Sequence, residues 1–260
     1  MIQEELNVIQ KELTKTLTSD NEIISEVRHF LCNGSKKIRS SLALLYLKAS
    51  NKQINEQIIT LLTAGEIIHN ASLLHDDVLD NSDLRRGEET IQKKFSPKIS
   101  ILAGDLLLSY ATEKLLLLNN NKIFNAFIDC TKKMSKAEIE QFLLRGKLPT
   151  EEEYIKITEG KTASLFEAIM QSSAILSGLD VQKSKDFGKL FGTVFQIRND
   201  LERKSKENDV QNGVKTAISV LGVEKTINLI DNYKEKMREK INCFPNIEYS
   251  EALRDLADKL

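Results

Sequence analysis

The sequence has 260 residues, 41% of them hydrophobic, which is enough for one domain with a buried core. Its 37 Lys and Arg residues nearly balance its 38 Asp and Glu residues, so no global charge favours nucleic acid or an anionic membrane surface. The three cysteines, Cys32, Cys130 and Cys243, lack a metal-type spacing, and no apolar run reaches the roughly 20 residues that span a bilayer, so we expect a soluble, cytoplasmic protein.

Helical periodicity runs along almost the whole chain, which contains only 3 prolines and 11 glycines. The N-terminal segment MIQEELNVIQKELTKTL is typical of an amphipathic helix and not of an export signal. Ser96 and Thr150 are suited to cap the helices that follow them. The pattern predicts an all-α fold of about ten helices in a single domain over residues 1–260. The expected breaks lie at residues 33–35, 81–89, 96–97, 119–121, 146–150, 176–181, 204–213 and 244–246.

An acid cluster follows an apolar helical segment in the stretch LLHDDVLDNSDLRRG. Asp76 and Asp80 are four residues apart and share one face of a helix, whereas Asp77 lies about 100° around it. Carboxylates at the end of an apolar helix repel one another, so a cation is expected between them. Oxygen ligands without His or Cys in a metal-like arrangement favour Mg²⁺ over zinc. A solvated acidic helix end, balanced by Arg85 and Arg86, explains the short pattern equally well.

Three basic segments and a second acidic segment accompany this cluster. The turn NGSKKIR precedes a helix, although alone it is more often a solvated turn. The adjacent Arg85 and Arg86 suit bidentate phosphate contacts. Farther along, GKTASLF and FQIRND each combine polar residues with an apolar helical segment. Together these segments predict a pocket that holds metal ions by acids, phosphates by bases, and an apolar tail between helices.

The motifs resemble those of the all-trans polyprenyl diphosphate synthases over about residues 20–230, and most closely the bacterial medium- and long-chain (octaprenyl-type) members. The resemblance implies the isoprenoid synthase fold, a helical bundle around a central apolar tunnel. It also implies a Mg²⁺-dependent prenyltransferase of isoprenoid biosynthesis. Such an enzyme condenses isopentenyl diphosphate with an allylic diphosphate, such as farnesyl diphosphate, to give a trans-polyprenyl diphosphate.

The resemblance, taken motif by motif, implies which residues bind each substrate and the metal. The isopentenyl diphosphate contacts are expected at Lys36, Arg39, His69 and Arg86. The allylic diphosphate contacts are expected at Arg85, Lys161, Thr162 and Gln196. The metal ligands are expected at Asp76, Asp80, Asn199, Asp200 and Glu207. Of these, Asp76, Asp80, Arg85 and Lys161 are expected to be catalytic, because they stabilise charge on the departing diphosphate.

Small side chains precede the first acidic motif at Ala71 and Ser72, with Ile68 and Gly65 deeper along the helix. Short-chain members of the family commonly hold an aromatic plug at this place. The open tunnel predicts a product longer than C20. Small residues that merely allow close helix packing are the alternative interpretation.

The second acidic motif departs from the family pattern, because Asn199 and Arg203 stand where carboxylates are usual. Glu207 lies roughly on the same helical face as Asn199 and is expected to restore a carboxylate. The family's Gly-Lys pair is interrupted as Gly213-Val214-Lys215, and the chain after Asp200 is short. These departures leave two alternatives open, a weakly or non-catalytic partner subunit of a heteromeric synthase and a class I terpene cyclase. We expect a homodimer, with the apolar segment 99–118 as a candidate interface.

Overall fold

The computed structural model describes residues 1–18, 21–202 and 213–260, and the described part of the chain is almost entirely helical. The prediction of an all-α fold is confirmed. The helices are α1 (Gln3–Thr16), α2 (Glu22–Cys32), α3 (Ile38–Ala49), α4 (Glu56–Leu79), α5 (Ile91–Lys94), α6 (Pro97–Leu117), α7 (Asn121–Leu143), α8 (Glu151–Thr158), α9 (Ser164–Ser177), α10 (Val181–Glu202), α11 (Ala217–Leu221), α12 (Val223–Ile241) and α13 (Ile247–Asp258). A π-helical turn (Glu159–Ala163) joins α8 to α9, and β1 (Leu84–Arg85) pairs with β2 (Glu88–Glu89) in a minimal antiparallel hairpin.

The described residues form thirteen helices, whereas the sequence predicts about ten. The difference arises because several helices are too short to give a periodic signal. The helices α5 and α11 have only 4 and 5 residues. The break between α3 and α4 was not predicted, since no glycine or proline marks it. The expected break at 204–213 lies outside the described residues except for Gly213. Along the described ranges, no helix is both long enough and apolar enough to cross a bilayer.

Close contacts group the chain into two compact units. The first unit comprises residues 1–44 and 54–120, and the second comprises residues 45–53 and 121–260. The single domain over residues 1–260 stays a prediction. Each unit has its own helical core and is described separately below.

The core of the first unit is α4, whose 24 residues give a length of about 36 Å. The Asn55 side chain caps this helix by accepting the N–H of Ile58 at 3.0 Å. Residues 61–68 are all buried, as expected for a helix that is apolar on every face. The helix packs mainly against α6 and also against α1. The first acidic motif therefore lies at the end of a buried, rigid element.

The helix α6 begins as the sequence predicts, with the Ser96 hydroxyl accepting the N–H of Ile99 and Pro97 in the first turn. One of its faces packs in the core through residues such as Ala103 and Leu107. Its other face carries exposed apolar side chains, which are Ile101, Leu102, Leu116 and Leu117. The helix is thus apolar on two sides.

In the second unit, α9 and α10 pack closely because two glycines of α10 face α9 and the π-helical turn. A Cβ atom at Gly192 would lie 2.6 Å from the Cα atom of Ala163, and one at Gly188 would lie 2.7 Å from the carbonyl oxygen of Phe166. The rings of Phe166 and Phe191 pack 5.3 Å apart in this contact. The close approach sets the polar end of α10 beside the π-helical turn. The predicted cap at Thr150 is confirmed, in a capping box with Glu153 at the start of α8.

Candidate active site

The first acidic motif lies at the C-terminal end of α4. The N–H of Asp80 donates to the carbonyl oxygen of Asp76 at 2.9 Å, so the two residues are one helical turn apart, as predicted. Both are partly exposed, whereas Asp77 is fully buried. The motif therefore divides into two outward carboxylates and one inward carboxylate.

Three aspartates at this end of a helix are electrostatically unfavourable. The last carbonyl groups of a helix carry partial negative charge, which repels carboxylates and attracts cations. The last turn of α4 reads DDVL and contains no basic residue. A cation at Asp76 and Asp80 would reduce the repulsion among the carboxylates and the repulsion between the carboxylates and the last carbonyl groups of the helix.

Asp77 forms a buried ion pair with Arg85. The Nε atom of Arg85 donates to Oδ1 of Asp77 at 2.5 Å. Burial raises the pKa of Asp77 to about 6, with Asp76 and Asp80 adding to the rise and Arg85 opposing it. The contact engages one of the five N–H donors of the guanidinium. Asp77 thus holds Arg85 beside the motif.

The hairpin brings both arginines back to α4. Its turn, Arg86-Gly87, has φ values of 56° and 86°, the positive φ at both central residues that is typical of a type I′ turn. The Nη1 atom of Arg86 donates to the carbonyl oxygen of Asn33 at 2.6 Å, and Nη2 donates to Oδ1 of Asn70 at 3.3 Å. Arg86 is therefore tied both to the end of α2 and to α4.

The turn before α3 needs a glycine at position 34. Gly34 has a φ of 70°, and a Cβ atom there would lie 2.6 Å from Cδ of Arg86. Lys36 is exposed in this turn, and Arg39, in the first turn of α3, is buried. The basic turn and the hairpin are thus packed against each other.

His69 lies on α4 two turns before the acidic motif and is partly exposed. Partial loss of hydration, followed by the charges of Arg39, Arg86 and Arg85, holds the pKa of His69 well below its usual range. The imidazole is therefore neutral at pH 7 and offers one N–H donor. The structure brings these four predicted residues into one electrostatic cluster of the first unit.

The predicted chain-length residues lie on the same helix. Ile68 and Ala71 are buried in the core of the first unit. Ser72 is partly exposed, and its hydroxyl donates to the carbonyl oxygen of His69 at 2.8 Å. Their role in product length stays a prediction.

In the second unit, the π-helical turn carries Lys161 and Thr162. Such turns are rare and are frequently found at functional sites. The Nζ atom of Lys161 pairs with Oε2 of Glu138 at 2.6 Å and donates to Oε1 of Gln141 at 2.9 Å. Both partners lie on α7, so the ammonium group is held by a second helix.

A chain of hydrogen bonds links the other predicted residues of the second unit. The hydroxyl of Thr162 donates to Oε1 of Gln196 at 2.9 Å, and Nε2 of Gln196 donates to Oδ1 of Asp200 at 2.8 Å. Asp200 is 7% exposed, and its Oδ2 accepts the Tyr154 hydroxyl at 2.7 Å and the Ala217 N–H at 3.1 Å. Burial and then the charge of Asp200 raise the pKa of Tyr154, so its hydroxyl stays a donor.

Asn199 is partly exposed next to the buried Asp200. Glu207 and Arg203, the other two residues of the altered motif, lie outside the described residues. In the ranges that the structure describes, no group of three or more His, Cys, Asp or Glu side chains is placed to hold a metal ion.

Sequence reasoning missed the residues that hold these groups in place. They are Asn70, Asp77, Glu138, Gln141 and Tyr154. Each of them contacts a partner on a different element, as Tyr154 of α8 contacts Asp200 of α10. Only the fold brings those together.

A family model described as polyprenyl synthetase matches residues 21–247. The octaprenyl diphosphate synthase of Escherichia coli is 33% identical over 198 residues, which cover 74% of this chain and 61% of that protein. The chain thus matches less than two thirds of that relative's length. The short chain isoprenyl diphosphate synthase of Methanocaldococcus jannaschii is 30% identical over 278 aligned positions, covering 94% of this chain and 84% of that protein.

Solved structures share the fold. A polyprenyl synthase from Caulobacter crescentus, complexed with calcium and isoprenyl diphosphate, superposes with a TM-score of 0.87. It is 24% identical, and the match covers 99% of this chain and 94% of that one. The likeness supports the helical architecture described above.

Proposed function

The chain belongs to the polyprenyl synthetase family, and on that premise we propose that it is a metal-dependent trans-prenyltransferase. It condenses isopentenyl diphosphate with an allylic diphosphate such as farnesyl diphosphate. The observation that carries the proposal is the arrangement at α4, where one neutral histidine and three arginines form a cluster beside two outward carboxylates. An anion site and a cation site thus adjoin each other, as a metal-bound diphosphate requires.

Mg²⁺ fits the first acidic motif. Asp76 and Asp80 offer only oxygen ligands, one turn apart, at a helix end whose own dipole favours a cation. Mg²⁺ keeps several waters and is usually bound by one or two carboxylates together with substrate phosphates. When bound, it stabilises negative charge on the departing diphosphate.

The chain's own residues bind and orient the two substrates. Lys36, Arg39, His69 and Arg86 hold isopentenyl diphosphate, which is a positioning role. Arg85, Lys161, Thr162 and Gln196 bind the allylic diphosphate and stabilise its charge as the C–O bond ionises. The isopentenyl double bond attacks the allylic carbocation, and the proton then lost is taken up by the released diphosphate.

The second acidic motif contributes less to metal binding in this proposal. Asn199 supplies a neutral oxygen where the resemblance expects a carboxylate, which weakens the hold on Mg²⁺. Asp200 accepts three protein donors and keeps Gln196 in place. Asp200 and Glu207 remain the predicted charged ligands of this motif.

A product longer than C20 is supported by the small side chains at Ala71 and Ser72. The named relatives include both an octaprenyl and a short-chain synthase, so length must be measured on this chain. The A71F variant tests the tunnel, because a ring at that position would block a growing chain. We expect shorter products from A71F than from the wild type. A wild type that itself stops at C15 contradicts the open tunnel.

A homodimer is supported by the exposed apolar face of α6. Leu102 and Leu117 are 63% and 73% exposed, and such side chains favour burial in an interface. Sedimentation of the purified chain measures the state directly, and the double variant L102E/L117E is expected to give monomers. A wild-type monomer contradicts this part of the proposal.

Incubating the purified chain alone with Mg²⁺, farnesyl diphosphate and labelled isopentenyl diphosphate tests the activity. Elongated diphosphates support the proposal. The altered motif at Asn199 favours, as a second candidate, a partner subunit that turns over only with another chain. A hydrocarbon formed from the allylic substrate alone would instead identify a terpene cyclase.

A further inference from the structure

Glu66 is a buried carboxyl beneath the basic turn. It lies in the apolar stretch of α4 and is 1% exposed. A carboxyl removed from water in this way is unfavourable unless polar partners replace the water. Two hydroxyl groups do so, since Ser40 Oγ donates to Oε1 at 2.7 Å and Ser35 Oγ donates to Oε2 at 3.3 Å.

These two serines flank Lys36 and Arg39. The Ser35 hydroxyl also accepts the N–H of Lys37 at 3.2 Å, which fixes the turn before α3. Ser40 lies in the first turn of α3 and is fully buried. One carboxyl therefore holds both ends of the segment that carries the two cationic side chains.

The next turn of α4 holds the second basic segment. The Asn70 amide donates to the carbonyl oxygen of Glu66 at 2.8 Å, which leaves its Oδ1 to accept Arg86. The charge of Glu66 also acts on the Arg86 guanidinium. The stretch 66–70 thus fixes the basic turn and Arg86 relative to each other.

We propose that Glu66 is a positioning residue that sets the affinity for isopentenyl diphosphate. It acts through Ser35 and Ser40 on Lys36 and Arg39, and it does not touch the substrate. The inference rests on the proposed function, because it assumes that the basic turn binds the second diphosphate.

The test compares E66A with E66Q by steady-state kinetics with both substrates. E66A removes both acceptors and frees the turn, so its KM for isopentenyl diphosphate should rise about tenfold or more. Its KM for farnesyl diphosphate should stay within about twofold. E66Q keeps an oxygen for the short Ser40 contact, so it should restore the KM to within about threefold of the wild type.

T63A is the matched control, because Thr63 is also a buried polar residue of α4 but donates to the carbonyl oxygen of Ile59. Its two KM values should equal those of the wild type. If E66A lacks a cooperative thermal transition, S40A replaces it in the test. Its KM for isopentenyl diphosphate is expected to rise about threefold.

Calorimetric titration of the wild type with isopentenyl diphosphate separates the two claims. A wild type that neither binds nor elongates this substrate overturns the proposed function. A wild type that binds it, while E66A or S40A shows an unchanged KM, overturns the inference about Glu66 alone. Equal rises in both KM values also overturn it, since they indicate a general disturbance of the fold.

Discussion

The two acidic motifs show two ways in which a helix end can present aspartates. At the end of α4, Asp76 and Asp80 point outward, and the buried Asp77 is neutralised by Arg85. At the end of α10, Asp200 is buried and is satisfied by the neutral donors of Tyr154, Gln196 and Ala217. The first motif thus presents two partly exposed carboxylates, whereas the second presents a buried carboxylate that accepts protein donors.

The basic groups of the two units also differ, in whether the cationic side chain forms an ion pair with a carboxylate. In the first unit, the guanidinium of Arg86 donates mainly to backbone carbonyls and an amide oxygen, so its charge is not cancelled by an ion pair of the described residues. In the second unit, Lys161 pairs with Glu138. On the proposed function, we expect the first unit to contribute more to metal and diphosphate binding than the second.

The largest expected effect is the loss of either outward carboxylate. D76A and D80A should each lower kcat about 1,000-fold or more, because charge on the leaving diphosphate would lose its stabilisation. The initial rate of elongation at saturating Mg²⁺ measures this. D83N is the control, since the exposed Asp83 pairs only with Lys93 among the described residues. Activity within tenfold of the wild type in D76A would contradict the assignment.

The ion pair between Asp77 and Arg85 should have a smaller effect. D77N keeps the shape but loses the charge that holds Arg85, so kcat/KM for farnesyl diphosphate should fall about 10- to 100-fold. Stability should change little in urea unfolding, because the raised pKa of Asp77 indicates a disfavoured buried charge and Arg85 is partly exposed to water. An unchanged kcat/KM would show that Asp77 only fills the core.

Variants at Asp200 test the difference between the two acidic motifs most clearly. D200N should lower kcat only about tenfold, because it disturbs Gln196 without removing a principal metal ligand. Y154F, which removes one donor to Asp200, should have an effect of about threefold at most. If D200N were as inactive as D76A, the two motifs would be equivalent and the comparison wrong.

Among the predicted site residues, the smallest effect is expected for the conservative variant H69Q. Because its imidazole is neutral, H69Q keeps a neutral donor, and the KM for isopentenyl diphosphate should rise no more than about threefold. H69A should raise it about tenfold. Kinetics at pH 7 and pH 8 should give the same ratios, since the pKa of His69 lies well below both. Ratios that change between the two values would indicate a charged histidine.

Much of this arrangement follows from sequence. Helical periodicity predicted the all-α fold, and the four-residue spacing predicted that Asp76 and Asp80 lie one turn apart. The caps at Ser96 and Thr150 were predicted because their hydrogen bonds are local. Each of these features depends on residues a few positions apart.

The remaining features depend on contacts between distant segments. Asp77 meets Arg85 only because the chain reverses between the end of α4 and β1, where Asn81 has a positive φ of 48°. Lys161 meets Glu138 across a helix pair, and Tyr154 meets Asp200 from 46 positions away. A sequence pattern does not specify such pairs, since many polar residues are compatible with each partner.

The most direct test of the central claim is a crystal structure of the chain with Mn²⁺ and a non-hydrolysable allylic diphosphate. The anomalous signal of Mn²⁺ locates the metal without ambiguity. We predict a peak within about 2.3 Å of carboxylate oxygens of both Asp76 and Asp80, with diphosphate oxygens completing the coordination. A diphosphate bound without metal at these two residues, or a metal held by Asp200 alone, would contradict the account.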